Sequence, residues 1–104
     1  MDGIAWASSA MVAARTRLEI ATENLANVST GGFRPVTARG FLTSLGVAIE
    51  SRREPAIPHI SNSVDPIAQM IDVLAAERSF ESAQKTVAAI DQTRQKSAEA
   101  ARIS

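Results

Sequence analysis

The sequence predicts a mainly α fold in which two long, heptad-patterned terminal helices pair as a coiled coil, joined by a short non-helical or extended linker. Apolar residues recur at alternating steps of three and four in both end segments, which keeps them on one side of a helix. Pro35, Pro55 and Pro58, with Gly40 and Gly46, collect between those segments, where the periodicity stops. A chain of 104 residues has room for one small core, so residues 1–104 read as a single domain.

The first stripe consists of Ile4, Ala7, Met11, Ala14, Leu18, Ala21 and Leu25. Asp2 suits an N-cap, and neither proline nor glycine interrupts the segment after Gly3. A helix is expected over about 3–27. Asn27 and the following Val-Ser-Thr-Gly-Gly end it, because Asn or Gly can take a left-handed conformation there and a glycine pair permits a sharp reversal. Phe33 then falls where it can fold back on the helix.

Residues 28–64 form the expected turn and linker, with an extended piece over Phe41–Glu50. A hairpin is the most this stretch can build, and two strands alone are marginal in water, so mobility is expected unless something docks on it. Asp65-Pro66 opens the second helix, as Asp favours the N-cap and Pro the first helical position. Met70, Val73, Ala76, Phe80, Ala83, Val87 and Ile90 step by three and four, widened by Ile67 and Leu74. Beyond Ile90 the stripe turns polar through Arg94 and Ser97, so the helix is expected over 65–97 with 98–104 frayed.

Helices of roughly 24 and 32 residues are about 36 and 48 Å long. Such rods overshoot a ball whose radius of gyration would be about 13 Å, so an elongated shape is expected. The alanine-rich first stripe buries little area per residue, which implies that other chains complete the core. Met11, Leu18, Leu25, Met70, Val73, Phe80, Val87 and Ile90 are the expected pairing seam.

Composition narrows the chemistry. Eleven basic and eleven acidic side chains cancel, which removes the positive field that nucleic-acid binding needs. No cysteine is present, so disulfides, thiol nucleophiles and Cys-ligated zinc are excluded. The longest mostly apolar run, Gly3 to Ala14, is shorter than the roughly 20 residues of a membrane span. It also lacks a basic leader, so any export is expected by a route that does not read a Sec signal.

His59 directly follows Pro58, with no second histidine, and reads as a solvated loop side chain, neither a metal ligand nor a catalytic base. Glu77 and Glu81 lie one turn apart, as on a solvated helix flank. Gly31-Gly32 opens no phosphate cradle. Arg39, Arg52 and Arg53, offset by Glu50 and Glu54, read as a surface charge patch. Trp6 sits one position off the stripe, where either an interface anchor or a second core face would place it. No catalytic, metal or cofactor residues are assigned, and the chain is not expected to be an enzyme.

The stretch Asn24-Leu25-Ala26-Asn27-Val28-Ser29-Thr30-Gly31-Gly32-Phe33-Arg34 resembles the N-terminal signature of the bacterial flagellar basal-body rod and hook proteins. Ser9-Ala10-Met11-Val12-Ala13 is similar to a second family segment upstream, with Ala10 in place of glycine. The run from Met70 to Ala83 resembles the family's C-terminal pattern, with Glu77 where Gln is common and Ala83 where Asn is usual. Asn62-Ser63-Val64-Asp65 and Gly46-Val47 look most like the proximal-rod subgroup, although the middle is shorter than usual.

The resemblance implies a structural subunit that leaves the cytoplasm through the flagellar type III export apparatus and polymerises through its terminal helices. Its expected place is the periplasm-spanning rod of the basal body. Its expected partners are other rod or hook subunits and further copies of itself, with neither nucleic acid nor a membrane-spanning segment involved. Trp6, Asn24, Asn27, Thr30, Gly32, Phe33 and Arg78 are the expected subunit joints and motif positions. The rival reading from the same residues is a cytoplasmic coiled-coil adaptor or export-chaperone-like binding module. A small hydrolase using His59 and a serine is the remaining, weaker alternative.

Overall fold

The computed structural model describes residues 3–55 and 62–103. The expectations that fall on Asp2, Pro58 and His59 lie outside the described residues. Helix α1 spans Gly3–Ala26, strand β1 Val36–Thr43, strand β2 Gly46–Arg53 and helix α2 Pro66–Ile103. The fold is thus mainly helical, with a small antiparallel two-stranded sheet between the helices. Asn24 reaches Gln69 at one end of the pair, while Gly3 abuts Ile90 at the other, so α1 and α2 run antiparallel. The molecule measures 73 × 24 × 13 Å with a radius of gyration of 18.9 Å, the elongated form that the helix lengths dictate.

Asp65 caps α2: its Oδ1 accepts the backbone N–H groups of Ile67 (3.1 Å) and Ala68 (3.3 Å), with Pro66 at the first helical position. At the other end α2 continues to Ile103, past Ser97, where the polar turn of the stripe led us to expect fraying. Ala98, Glu99, Ala100, Ala101 and Arg102 are strong helix formers, and a helix already nucleated over eight turns extends at little cost. Residues 91–102, beyond the start of α1, are all exposed.

The buried side chains between the helices are alanines: Ala7, Ala14 and Ala21 on α1, Ala76 and Ala83 on α2. Each set repeats every seven residues, which places small side chains at successive points of closest approach and lets the backbones draw together. Leu18 and Phe80 are only half-buried and border a groove of about 510 Å³ whose floor includes Ala14 and Ala76. Met11, Leu25, Val73, Val87 and Ile90 are half-buried as well. Met70, expected in the seam, is 52% exposed instead, because Gln69 and Val73 take the inward-tilted positions of that turn. It joins Ile67, Ile71 and Leu74 on the opposite, outward face of α2.

The linker is ordered as a hairpin docked on α1. Its strands pair along their full length, from Val36 opposite Arg53 to Thr43 opposite Gly46. Thr43 Oγ1 closes the turn, accepting from the N–H of Leu45 (3.1 Å) and donating to the carbonyl of Gly46 (3.0 Å). Gly46 holds a φ of 118°, a region that side chains with a Cβ rarely adopt. Replacing Gly46 by alanine should therefore cost about 1–3 kcal/mol, read as a lowered urea midpoint with unchanged slope. Among the described residues the hairpin contacts α1 and not α2, so the outward face of α2 stays uncovered. No described helix is long and apolar enough to cross a membrane.

Candidate functional site

Three elements meet where α1 ends, β1 begins and α2 starts, and side-chain amides hold them together. Asn24 is the hub. It is 1% exposed, the most buried polar residue described. Its Oδ1 accepts the N–H of Val36 (2.8 Å) while its Nδ2 donates to the carbonyl of the same residue (2.8 Å) and to Gln69 Oε1 (3.2 Å). One side chain thus mimics a neighbouring strand for the free edge of β1 and ties that edge to both helices. Burying an amide is costly unless every group finds a partner, and here the residue is matched on both its carbonyl and amino sides.

The turn after α1 is stitched in the same manner. Asn27 Nδ2 donates to the carbonyl of Glu23 (2.8 Å), which also accepts the backbone N–H of Asn27 (3.2 Å), and Asn27 Oδ1 accepts from Thr30 Oγ1 (3.2 Å). Asn62 closes the joint from the far side: its Nδ2 donates to the carbonyls of Asn27 (2.6 Å) and Thr30 (2.9 Å), and its Oδ1 accepts the N–H of Val64 (2.9 Å). The segment leading to α2 is thereby fixed to the segment leaving α1. Gly32 supplies the left-handed step of this turn, with φ 75°.

Arg53, read from the sequence as part of a surface patch, has a structural task. Its guanidinium lies 5.4 Å from the Phe33 ring centroid, donates from Nη1 to the carbonyl of Arg34 (2.7 Å), and pairs through Nη2 with Glu23 Oε1 (3.1 Å). The partners are partly exposed, so the ion pair itself adds little; the planar fork's value lies in joining the hairpin, the turn and α1 at one point. At the opposite end of the hairpin, Ser9 Oγ donates to the carbonyl of Trp6 (2.8 Å) and accepts the N–H of Val47 (3.1 Å). The hairpin is pinned at both ends.

This geometry revises the expected roles of the motif residues. Asn24 is buried and fully engaged within its own chain, so it is an internal joint and not a surface one. Asn27 and Phe33 are half-buried in intramolecular contacts, while Thr30, Gly32 and Arg78 remain exposed. Trp6 is half-buried at a cavity that it shares with Arg78, Val47 and Ala83, between the two helices and the hairpin. Gln69, Asn62, Ser9 and Arg53 complete the joint and were not singled out as site residues by sequence reasoning. Only the local N-cap of Asp65 and the Asn-rich turn were visible as signals. Among the described residues no group of three or more His, Asp or Glu side chains could hold a metal ion.

Comparison with known families decides what this joint belongs to. The family described as "Flagella basal body rod protein" matches residues 4–34. The family described as "Flagellar basal body rod FlgEFG protein C-terminal" matches residues 61–100. The chain belongs to the flagellar basal-body rod and hook protein family. No curated protein matched the chain in a direct search. The two rod-family segments lie at opposite ends of the sequence, in the order that the family requires, and cover α1 with its turn and nearly all of α2. They converge in space on the amide joint, since Asn24, Asn27 and Thr30 come from the first and Asn62, Asp65 and Gln69 from the second. The protein is accordingly a structural component of the flagellar basal body, part of the motility machinery, and rod-family membership implies assembly with other rod subunits.

Proposed function

We propose that this chain is a subunit of the flagellar rod, exported by the flagellar type III system and polymerised through its terminal helices into the part of the rod that crosses the periplasm, with residues 1–104 acting as one rod-type unit. The proximal-rod subgroup remains the suggested level. One observation carries the reading: the two rod-family segments fold onto each other through alanines, which leaves the large apolar residues of both stripes at the rim of the pair. Leu18, Phe80, Met11, Leu25, Val73, Val87 and Ile90 are half-buried in the single chain and are the surface that neighbouring subunits cover, a pairing of coiled-coil type between terminal helices. Trp6, Phe33, Thr30, Gly32 and Arg78 border the joints between subunits.

The subunit works by packing and not by catalysis. The amide joint sets the angle between the helix pair and the hairpin, so that every copy presents the same surfaces. Contacts between unlike surfaces that do not close into a ring propagate as a helix, the geometry of a tube wall. The test is an epitope-tagged chain followed into purified basal bodies in cells with and without a functional flagellar export gate. Recovery in the basal bodies of export-competent cells, with retention in the cytoplasm when the gate is inactive, is the expected result. Soluble recovery in both would overturn the reading in favour of a cytoplasmic adaptor.

A further inference from the structure

One edge of β1 is taken by β2, and the fold leaves the other almost bare. In an antiparallel pair the backbone groups of alternate residues turn toward the partner and those between turn away. The bond from the N–H of Glu54 to the carbonyl of Pro35 (2.8 Å) sets the phase, so Thr37, Arg39 and Phe41 face β2 while Val36, Ala38, Gly40 and Leu42 turn their backbone groups outward. Asn24 satisfies the first of these four, exchanging two hydrogen bonds of 2.8 Å with Val36. Giving and taking both bonds with one opposite residue is the antiparallel pattern, so the Asn24 amide stands where one residue of a neighbouring antiparallel strand would. The N–H and carbonyl groups of Ala38, Gly40 and Leu42 make no hydrogen bond to another described residue.

Beside this edge lies a cleft of about 440 Å³ between β1 and α2, with Ile20 and Ala21 of α1 in its lining. The bond from Asn24 to Gln69 (3.2 Å) marks one end of it. Toward the other end, Gly40 leaves room for the Arg17 guanidinium, which stands where a Cβ would project. Arg17 enters no ion pair among the described residues. Asp72, the acid that lines the same cleft, lies one helical turn from Gln69, toward the Asn24 end. Side chains directly opposite each other in an antiparallel pair share a face of the sheet. A residue paired with Gly40 is therefore placed beside Arg17, and one paired with Ala38 beside Ile20, Ala21 and Ala76. Because such a strand runs against β1, the residue opposite Gly40 comes two positions before the residue opposite Ala38.

We propose that this cleft accepts an extended segment of a different polypeptide, added antiparallel to β1 and carrying an acidic residue two positions before an apolar one. Backbone hydrogen bonds at Ala38, Gly40 and Leu42 supply affinity, and the two inward side chains supply selectivity, as in other cases of a strand added to a sheet edge. The acid pairs with Arg17, and the apolar side chain covers Ile20 and Ala21. In the reverse order the acid would approach Asp72, so charge fixes the direction as well as the register. The chain's own strands do not carry this pattern: β1 has no acid, and two positions after Glu50 in β2 stands Arg52. The occupant is therefore a different chain and not a second copy. Strand capture goes beyond the rod reading and stands without it.

The test titrates the full chain with the acetylated and amidated heptapeptide Thr-Leu-Thr-Glu-Thr-Val-Thr, which sets Glu opposite Gly40 and Val opposite Ala38, and follows backbone amides by NMR. Saturable binding is expected, with exchange slowed at Ala38, Gly40 and Leu42 and unchanged at Ile49 and Ser51 on the outer edge of β2. A peptide with Lys in place of Glu should bind about fivefold to tenfold more weakly in low salt. Arg17→Glu should invert that order, so that the Lys peptide binds better, an inversion that a purely structural role of Arg17 does not produce. Ala38→Pro removes an outward N–H without touching the β1–β2 bonds and should raise the Kd about tenfold. If that variant unfolds, methylating the amide nitrogen of the probe's Val, which faces β1, should weaken binding to the same extent, and methylating the threonine before it, which faces away, should not. No saturable binding of the Glu peptide overturns the proposal, as does binding indifferent to these backbone changes or protection confined to Ile49 and Ser51. Exchange at Ala38 and Gly40 that slows with protein concentration alone overturns the different chain as occupant and puts a second copy in its place.

Discussion

Replacing Asn24 by alanine should lower the stability of the isolated chain by about 2–3 kcal/mol, the largest effect expected of any single truncation at the joint. The side chain fills almost fully buried space and matches both the N–H and the carbonyl of Val36 as well as Gln69 Oε1. Truncation leaves those groups without the partner that matched them. Urea denaturation at neutral pH measures the loss. Asn24→Asp separates hydrogen bonding from volume. The carboxylate can still accept from Val36 N–H, but it has no donor for the carbonyl of Val36 or for Gln69 Oε1, and its charge is buried. The folded state then favours the protonated carboxyl, whose pKa is raised above the unfolded value. The folded state consequently binds more protons, and the Asp variant should gain stability as the pH falls, opposite in sign to a salt-bridged carboxylate. A truncation costing no more than an exposed Asn→Ala change would contradict the hub role.

Ala76→Leu is the second large effect. Ala76 is 3% exposed and borders the clefts on both flanks of the helix pair, so it stands at the closest approach of α2 to α1. A leucine there has to push the helices apart or adopt an off-rotamer conformation, at about 1–3 kcal/mol. Ala89→Leu, at an exposed site on the same helix, should change stability by less than about 0.5 kcal/mol. Thermal unfolding of the two variants side by side reads the difference. Equal effects would mean that the helices are not held together through their alanines.

These two substitutions mark where the sequence was readable and where it was not. The three-and-four spacing put Ala7, Ala14 and Ala21 on one stripe with Met11, Leu18 and Leu25, of which the alanines are buried and the larger residues half-buried. A helical stripe is about 100° wide, however, and periodicity alone does not say which of its residues stands at the closest approach. The distance between helices decides that, and small residues at seven-residue intervals bring it down until the large ones are displaced to the rim. Met70 was misplaced for the same reason, as it sits at the edge between the inner face and the outward ridge.

A hairpin was foreseen only as the most the linker could build. The extended piece expected over Phe41–Glu50 in fact runs across the turn at Ser44 and Leu45, since the strands are Val36–Thr43 and Gly46–Arg53, and the docking was not foreseen. That depends on hydrogen bonds between residues 12 and 38 positions apart, Asn24 with Val36 and Ser9 with Val47, whose pairing no local pattern announces. The motif Asn24 to Arg34 showed the family clearly, yet its polar residues look identical in sequence whether they face a neighbouring subunit or their own backbone. Burial settled Asn24 as internal. At the far end, the polar turn of the stripe after Ile90 was read as fraying over 98–104, whereas α2 continues to Ile103; the polar turn marks only the loss of a partner within the chain.

Neighbouring subunits are expected to cover the apolar side chains that one chain leaves half open, and the absence of cysteine makes that directly measurable. Single cysteines placed at Leu18 and Leu74, with Ser44 at the exposed hairpin turn as reference, can be labelled with a maleimide in the purified chain and in isolated basal bodies. The prediction is ready labelling of all three in the free chain, with strong protection of positions 18 and 74 but not 44 after assembly. Equal labelling of positions 18 and 74 in both states would contradict it.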